Sequence, residues 1–380
     1  MTPERAGEAA ADVFAALGGT ELDPPILMPA HLPLELSGET IRARLCIFAD
    51  AGGGEQALRP DLTLPVAQAE ARARRDGEAG ETLRRYNARA FRLPSMDGEP
   101  MEFTQIGFER FGAETSASVD AQVFGQVCSA AMAADAEIAS AWFGDLSVFP
   151  AFVDALSLAP GLAEALKRAF RQQGGVHVLL GGGSPARDAK GNRLARQLQG
   201  ASREEAEAMI RDMLDLSGVA LVGERSIGEI ADRLIAKAAE ADAGGVPEAA
   251  AKLLGDVLAV EGPAMQAVEQ LSGLAKGAGL GARLADTLGA LENRMEAILA
   301  SAPELADVAR FGTPFGRRFN YYDGFLFELF GPHASPMRPL GAGGRYDNLI
   351  ARLSQGGVEA SALGGVVRPD RLSQAAGGDA

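Results

Sequence analysis

Residues 83–112 place the tightest limit on the fold. LRRYNARAFRL (83–93) and MEFTQIGFERFG (101–112) both read as strands, and PSMDGEP between them supplies proline, aspartate and glycine for a loop. The pair predicts an antiparallel hairpin with a long connection. Side chains alternate faces along a strand, so Phe103, Gln105, Gly107, Glu109 and Phe111 share one face. Gln105 and Glu109 then lie about 13 Å apart, at roughly 3.3 Å per residue. Gly107 between them leaves room above the sheet. An amide and a carboxylate on an otherwise apolar strand need partners.

Around this hairpin the chain changes texture three times. MTPERAGEAAADVFAALGG predicts an amphipathic helix ending at Gly18–Gly19. ARLCIFAD (43–50) reads as a strand running into a glycine turn. QALRPDLTLPVAQAEAR (56–72) starts as a strand and becomes a helix after Pro65. VDAQVFGQVCSAAMAA (119–134) reads as a helix. Residues 150–305 are rich in Ala, Leu, Glu and Arg. Ser202 and Glu205 form a capping box ahead of helical spacing, and ERSIGEIADRLIAKAAEA and VPEAAAKLLGDVLAVEG continue the pattern. Strand texture returns after 306 in FNYYDGFLFELF and SALGGVV. The expected organisation is an α/β (α+β) core built from 1–145 and 306–380, with an all-helical insertion at 150–305. The glycine runs in LLGGGSPARDAKGN (179–192) and KGAGLGARLA (276–285) read as turns and caps; the first lacks the Lys-Ser/Thr of a phosphate loop.

Composition narrows the function. A net charge of −15 argues against general nucleic-acid binding. Cys46 and Cys128 form no CxxC, and with His31, His177 and His333 they make no structural zinc set. They read as reduced thiols of a cytoplasmic protein. No apolar run approaches the roughly 20 residues of a membrane helix. The N-terminus has acids where a secretory signal has bases.

Two further stretches place polar groups in strand-like surroundings. In RPDLT (59–63), Arg59, Asp61 and Thr63 would share a strand face. In RRFNYYDGFLFE (317–328), Tyr321 and Tyr322 would point to opposite faces, so that one of them at most enters a given pocket. The ordinary reading is that Glu109 and Asp61 pair on a solvated face with arginines such as Arg84, Arg85 and Arg110.

These stretches also carry a resemblance. ALRPDLTLPVA resembles the histidyl-tRNA synthetase segment that usually reads LRPEGT. AFRLPSMDGEPMEFTQIGFERFG resembles that family's second class II motif, and RRFNYYDGFLFE resembles its histidine-recognition segment. GAGGRYDNLIARL (341–353) resembles the GGRYD segment, and ALGGVVRPDRL (362–372) the third motif. The five occur in the family's order and cover about half the chain. The resemblance implies a class II synthetase-like antiparallel sheet flanked by helices, with a helical insertion.

It also implies a histidine pocket. Asp61, Thr63 and Gln105 would hold the α-amino group. Glu109 and one of Tyr321 or Tyr322 would hold the imidazole. Arg317 would face the carboxylate, with Arg92 nearby. An ammonium wants acceptors and a carboxylate wants a guanidinium fork. Asp61 stands where the family usually has Glu, so the shorter acid is expected to weaken the site or to act through a water.

The synthetase pattern fails at the nucleotide end. Phe91-Arg92-Leu93-Pro94 has proline in place of the family's Glu. The following loop holds Asp97 and Glu99 and no base, and Arg368 stands where the third motif has glycine, although Arg371 remains. The chain ends nine residues after Arg371, without room for the family's anticodon-binding domain. This combination resembles the regulatory subunit of ATP phosphoribosyltransferase. It implies a non-catalytic protein of histidine biosynthesis, cytoplasmic, a homodimer within a hetero-oligomer. It would partner a short-form ATP phosphoribosyltransferase catalytic subunit and sense L-histidine, with no cofactor or metal. The alternatives are an active class II synthetase-like enzyme that activates histidine, and a histidine-binding or uncharged-tRNA-sensing module of another assembly.

Overall fold

The computed structural model describes the chain apart from residues 38, 96–98, 172–174, 182–200, 218–226, 229–230, 232–233, 235–244, 317–320, 333–337 and 377–380. Contacts divide it into two compact units, Met1–Val148 with Leu258–Ala380, and Phe149–Val257.

In chain order the strands are β1 (Thr20–Glu21), β2 (Leu27–Pro29), β3 (Ile47–Ala49), β4 (Glu55–Leu58), β5 (Thr82–Phe91), β6 (Glu102–Phe111), β7 (Ser140–Asp145), β8 (Glu261–Pro263), β9 (Ala309–Gly312), β10 (Phe325–Phe330), β11 (Gly341–Arg345) and β12 (Ala362–Val367). Nine of them form one sheet in the order β1-β5-β6-β12-β11-β10-β7-β9-β8, and β2, β4 and β3 form a small second sheet. The β1–β5 and β7–β9 pairs are parallel; the other pairs in the large sheet are antiparallel. The ten-residue strands β5 and β6 are the hairpin read from the sequence, with Tyr86 opposite Gly107 and Ala88 opposite Gln105.

The two faces of the sheet do different work. The rear face is aromatic and aliphatic. Phe14, on helix Pro3–Ala15, meets Phe108 at 5.1 Å between ring centroids. Phe124, on helix Ala117–Ala133, packs 5.1 Å from both Phe143 and Phe327. Helix Gly281–Ser301 lies against that second helix and buries Leu288, Leu291, Met295 and Ile298. The front face is cleared by glycine. Gly364 is opposite both Glu109 and Gly344. A Cβ at Gly107 would sit 2.6 Å from the Tyr86 hydroxyl, and one at Gly364 would sit 1.5 Å from Glu109 Oε2.

Buried ion pairs fasten the rear helices to the sheet. Asp120 is fully buried; its Oδ1 accepts from Arg345 Nη2 and its Oδ2 from Arg294 Nε, both at 2.6 Å. Arg294 Nη1 donates to Asp145 Oδ2 at 2.6 Å. On the front, Glu70 is fully buried and receives Arg74 and Arg84 at 2.8 Å and the Thr82 hydroxyl at 2.7 Å.

The structure shifts three sequence boundaries. RPDLT is not a strand: β4 stops at Leu58 and helix Thr63–Arg75 starts two residues before Pro65. The reason is local. Asp61 Oδ1 accepts the Leu64 N–H at 3.0 Å and satisfies a first-turn donor, while Pro65 falls where no intrahelical N–H bond is lost. Arg59, Asp61 and Thr63 therefore do not share a strand face. Tyr321 and Tyr322 precede β10, which begins at Phe325, so strand alternation does not apply to them.

The third shift concerns the helical block expected at 150–305. Helices Ala264–Gly277 and Gly281–Ser301 belong with the sheet, because their apolar stripes face it and helix Ala117–Ala133. In the Phe149–Val257 unit, Phe149 stacks on Phe170 at 4.6 Å. The capping box is present: Ser202 N–H donates to Glu205 at 2.8 Å, and the Glu205 N–H donates to the Ser202 hydroxyl at 3.2 Å. Most of ERSIGEIADRLIAKAAEA and of LLGGGSPARDAKGN lies outside the described residues.

Asp120→Ala leaves the buried Arg345 and the partly buried Arg294 each short of a partner. It is expected to lower unfolding free energy by about 3–5 kcal/mol, measured by urea denaturation.

Candidate functional site

Glu109 is the centre of the front face. It is 1% exposed. Three hydroxyls donate to it: Thr63 Oγ1 to Oε1 at 2.8 Å, Tyr86 to Oε1 at 3.1 Å, and Tyr346 to Oε2. Thr63 comes from the first turn of its helix, Tyr86 from β5, and Tyr346 from the residue after β11. Burial pushes the Glu109 carboxyl up to about 7, although the three hydroxyls pull the other way. Burial likewise raises Tyr86, Tyr321 and Tyr346 well above the ordinary phenol range, so all three stay protonated at neutral pH.

Asp61 provides a second buried acid. Its Oδ1 is taken by Leu64, but Oδ2 is buried and accepts no hydrogen bond among the described residues. Burial raises its carboxyl; the Arg92 charge opposes this. Arg92 Nε donates to the Pro60 carbonyl at 2.7 Å, and its guanidinium lies 5.3 Å from the Phe103 ring centroid. Burial lowers Arg92 to about 10, where it is still charged at neutral pH. Gln105 Oε1 accepts the Leu62 N–H at 3.1 Å. Tyr321 and Tyr322 are both buried, with rings 4.9 Å apart and each about as far from Tyr346, at 6.0 and 6.2 Å. Asp61, Glu109 and this aromatic group bound one polar site, lined by acceptors, phenols and a cation.

The arginines offered as ordinary ion-pair partners go elsewhere. Arg84 binds Glu70 and Glu78, Arg85 binds the Gly18 carbonyl and Glu21, and Arg110 binds Glu81 and Gln122. Beyond Arg92, further arginines are engaged by neighbouring groups. The Arg368 guanidinium sits 3.7 Å over the Phe103 ring and is forked onto Asp370 at 2.9 and 2.8 Å. Arg44 pairs with Glu99 at 2.8 Å. Burial raises the Glu99 carboxyl, but bonds from Ser95 and Arg44 outweigh it and bring it down to about 2. Arg371 Nη1 donates to the Pro339 carbonyl at 2.9 Å.

This arrangement can be set beside known proteins. The profile of the histidyl-tRNA synthetase family matches residues 2–220 and 210–372. The ATP phosphoribosyltransferase regulatory subunit of Agrobacterium fabrum is 31% identical over 356 residues, 92% of this chain and 91% of that protein. That of Brucella anthropi is 31% identical over 368 residues, 92% and 93% of the two chains. The chain belongs to this histidyl-tRNA synthetase-like family of regulatory subunits. Solved structures share the fold. An ATP phosphoribosyltransferase regulatory subunit/histidyl-tRNA synthetase from Bacillus halodurans aligns with TM-score 0.60 at 21% identity, over 99% of this chain and 79% of that one. A histidine–tRNA ligase subunit from Alicyclobacillus acidocaldarius gives 0.54 at 22%, over 98% and 92%.

Within the family frame, the structure gathers Asp61, Thr63, Arg92, Gln105, Glu109, Tyr321 and Tyr322 around one site. Arg317 lies outside the described residues. Both tyrosines of the pair reach the site, where strand alternation allowed one. Tyr86 and Tyr346 complete the shell of Glu109 and were not singled out from sequence. Tyr86 carried a signal, since a hairpin register places it opposite Gly107 on the face of Glu109. Among the described residues no group of three or more His, Cys, Asp or Glu can hold a metal ion, and no helix is long and apolar enough to cross a membrane.

The raised Glu109 carboxyl has a pH signature. A group whose folded value lies above its unfolded value stabilises fully below about pH 4.5, and that contribution fades as pH rises through about 7. Glu109→Gln is expected to remove it. Urea unfolding should show the difference between variant and parent changing by about 2–3 kcal/mol from pH 5 to pH 8, in the variant's favour at high pH.

Proposed function

We propose that this chain is the non-catalytic regulatory subunit of an ATP phosphoribosyltransferase of histidine biosynthesis, and that the front-face site binds free L-histidine. The chemistry resides on a short-form catalytic subunit. This chain is required for that subunit's activity and passes on feedback from histidine. It works in the cytoplasm as a homodimer within a hetero-oligomer.

The observation that carries the ligand reading is Asp61 Oδ2, a buried acceptor with no hydrogen bond among the described residues, next to Glu109 and its phenols. Such an atom suits an ammonium. Thr63, whose proton goes to Glu109, keeps lone pairs for the same group. Glu109 accepts from one imidazole nitrogen and a phenol of Tyr321 or Tyr322 serves the other. The guanidinium expected for the carboxylate is Arg317, with Arg92 nearby. Selectivity follows, because an analogue missing one polar group leaves a buried partner unpaired.

The nucleotide side supports a sensor over a synthetase. Arg368 covers a face of Phe103 while held by Asp370, and Glu99 puts a carboxylate beside Arg44. A nucleotide would find that aromatic platform already taken and two of the arginines beside it already paired with acids.

The deciding experiment mixes the purified chain with a short-form catalytic subunit and assays turnover with and without histidine. Turnover should require both chains and fall when histidine is added. Histidine-dependent ATP–pyrophosphate exchange by this chain alone would instead establish a synthetase. Asp61→Asn keeps the side chain's shape and removes its charge. It is expected to weaken histidine binding about 10–100-fold by calorimetry, the cost of losing a charged hydrogen bond.

A further inference from the structure

The buried ions behind the sheet form a continuous line that ends at the pocket. Asp145 closes β7, and its Oδ1 accepts the N–H of Ser147 at 2.9 Å and the Ser147 hydroxyl at 2.5 Å. Helix Val148–Ala155 follows at once and carries the chain into the Phe149–Val257 unit. From Asp145 the line runs through Arg294 and Asp120 to Arg345. Arg345 Nη1 donates to Asp347 Oδ1 at 3.2 Å. The Asp347 N–H donates to Asp323 Oδ1 at 3.0 Å, and the Asp323 N–H returns to the Arg345 carbonyl at 3.1 Å. Tyr346 lies between Arg345 and Asp347, and Tyr322 immediately precedes Asp323. Two phenols of the site therefore ride on the segment that the ions hold.

The pairing leaves little freedom to adjust in parts. Each oxygen of Asp120 is committed to a different arginine, and Arg294 spans two acids. A shift of Arg345 must either drag Asp120 and Arg294 along or strand a buried charge. Stranding a buried charge is the costlier course. Fork geometry makes Arg294 hard to replace, since a lysine has one compact ammonium where arginine offers several fixed N–H directions.

We propose that Arg294 is a positioning residue for the pocket. Through Asp120 and Arg345 it joins the placement of Tyr346 and Tyr322 to the hold on the Asp145 end of β7, so that occupancy of the site is felt at residues 146–155. The naming of the occupant as histidine rests on the function proposed above; the linkage itself does not.

The test is a hydrogen-exchange double-mutant cycle on the full chain, read at amides 146–155. It combines Tyr346→Phe at the pocket with Arg294→Lys in the middle of the line. Tyr346→Phe should change exchange there about fivefold or more when Arg294 is present, and less than about twofold in Arg294→Lys. Equal changes in both backgrounds, or none in the first, overturn the proposal. A merely structural Arg294 would alter global stability and leave this ratio near one. In a second arm, histidine should protect 146–155 in the parent chain. In Arg294→Lys, histidine at a concentration that calorimetry shows to be saturating should leave exchange at 146–155 unchanged. Protection retained in the variant overturns the linkage. Failure of histidine to bind the parent overturns the ligand reading, and the ligand-free cycle then decides the linkage. Should Arg294→Lys not fold, Asp145→Asn takes its place under the same criteria.

Discussion

A carboxylate with no ion-pair partner among the described residues sits at the centre of this molecule, and its burial sets conditions on the elements around it. Glu109 is kept by hydroxyls, from a helix start, a neighbouring strand and a strand end. Hydroxyl donors stabilise the charge less than a guanidinium would, so burial prevails and the proton is held near neutrality. The same environment keeps the surrounding phenols protonated and able to donate. Space for these groups comes from Gly107 and Gly364. Front-face glycine and rear-face aromatic side chains are thus two halves of one arrangement, in which the sheet is thick behind and cleared in front.

Much of that face was legible in one strand. The alternation of Phe103, Gln105, Gly107 and Glu109 needs nothing beyond the two-residue period of a strand. The groups that serve Glu109 were harder to read. Tyr86 depends on the register between two strands, and Tyr346 on a third strand two ladders away. Register is set by packing over the whole sheet, which a local pattern does not encode. RPDLT misled for a related reason. Its polar residues look like strand alternation, yet Asp61 bonds the backbone of the helix that follows. The reach of the helical block was misjudged because a helical stripe shows that a face is buried and leaves open against what.

Polar burial separates two kinds of charge in this chain. Asp120 and Glu70 have every oxygen matched to a cation or hydroxyl, and they fasten elements together. Asp61 keeps an oxygen without a hydrogen bond among the described residues, and the described donors to Glu109 are two phenols and a threonine hydroxyl. Saturated groups specify the fold; the unsaturated acid is the ground on which a ligand site is proposed at the front face. The function proposed for the chain draws on that contrast, and on the closing of the adjoining platform by Arg368.

The 1.5 Å gap left for a carbon atom at Gly364 links two positions that lie far apart in the chain. No L-amino acid other than glycine can stand there while the acid at 109 keeps its place. Sterically, the two residues act as one unit. A single methyl group gained at 364 would displace the carboxylate as surely as losing Glu109 itself.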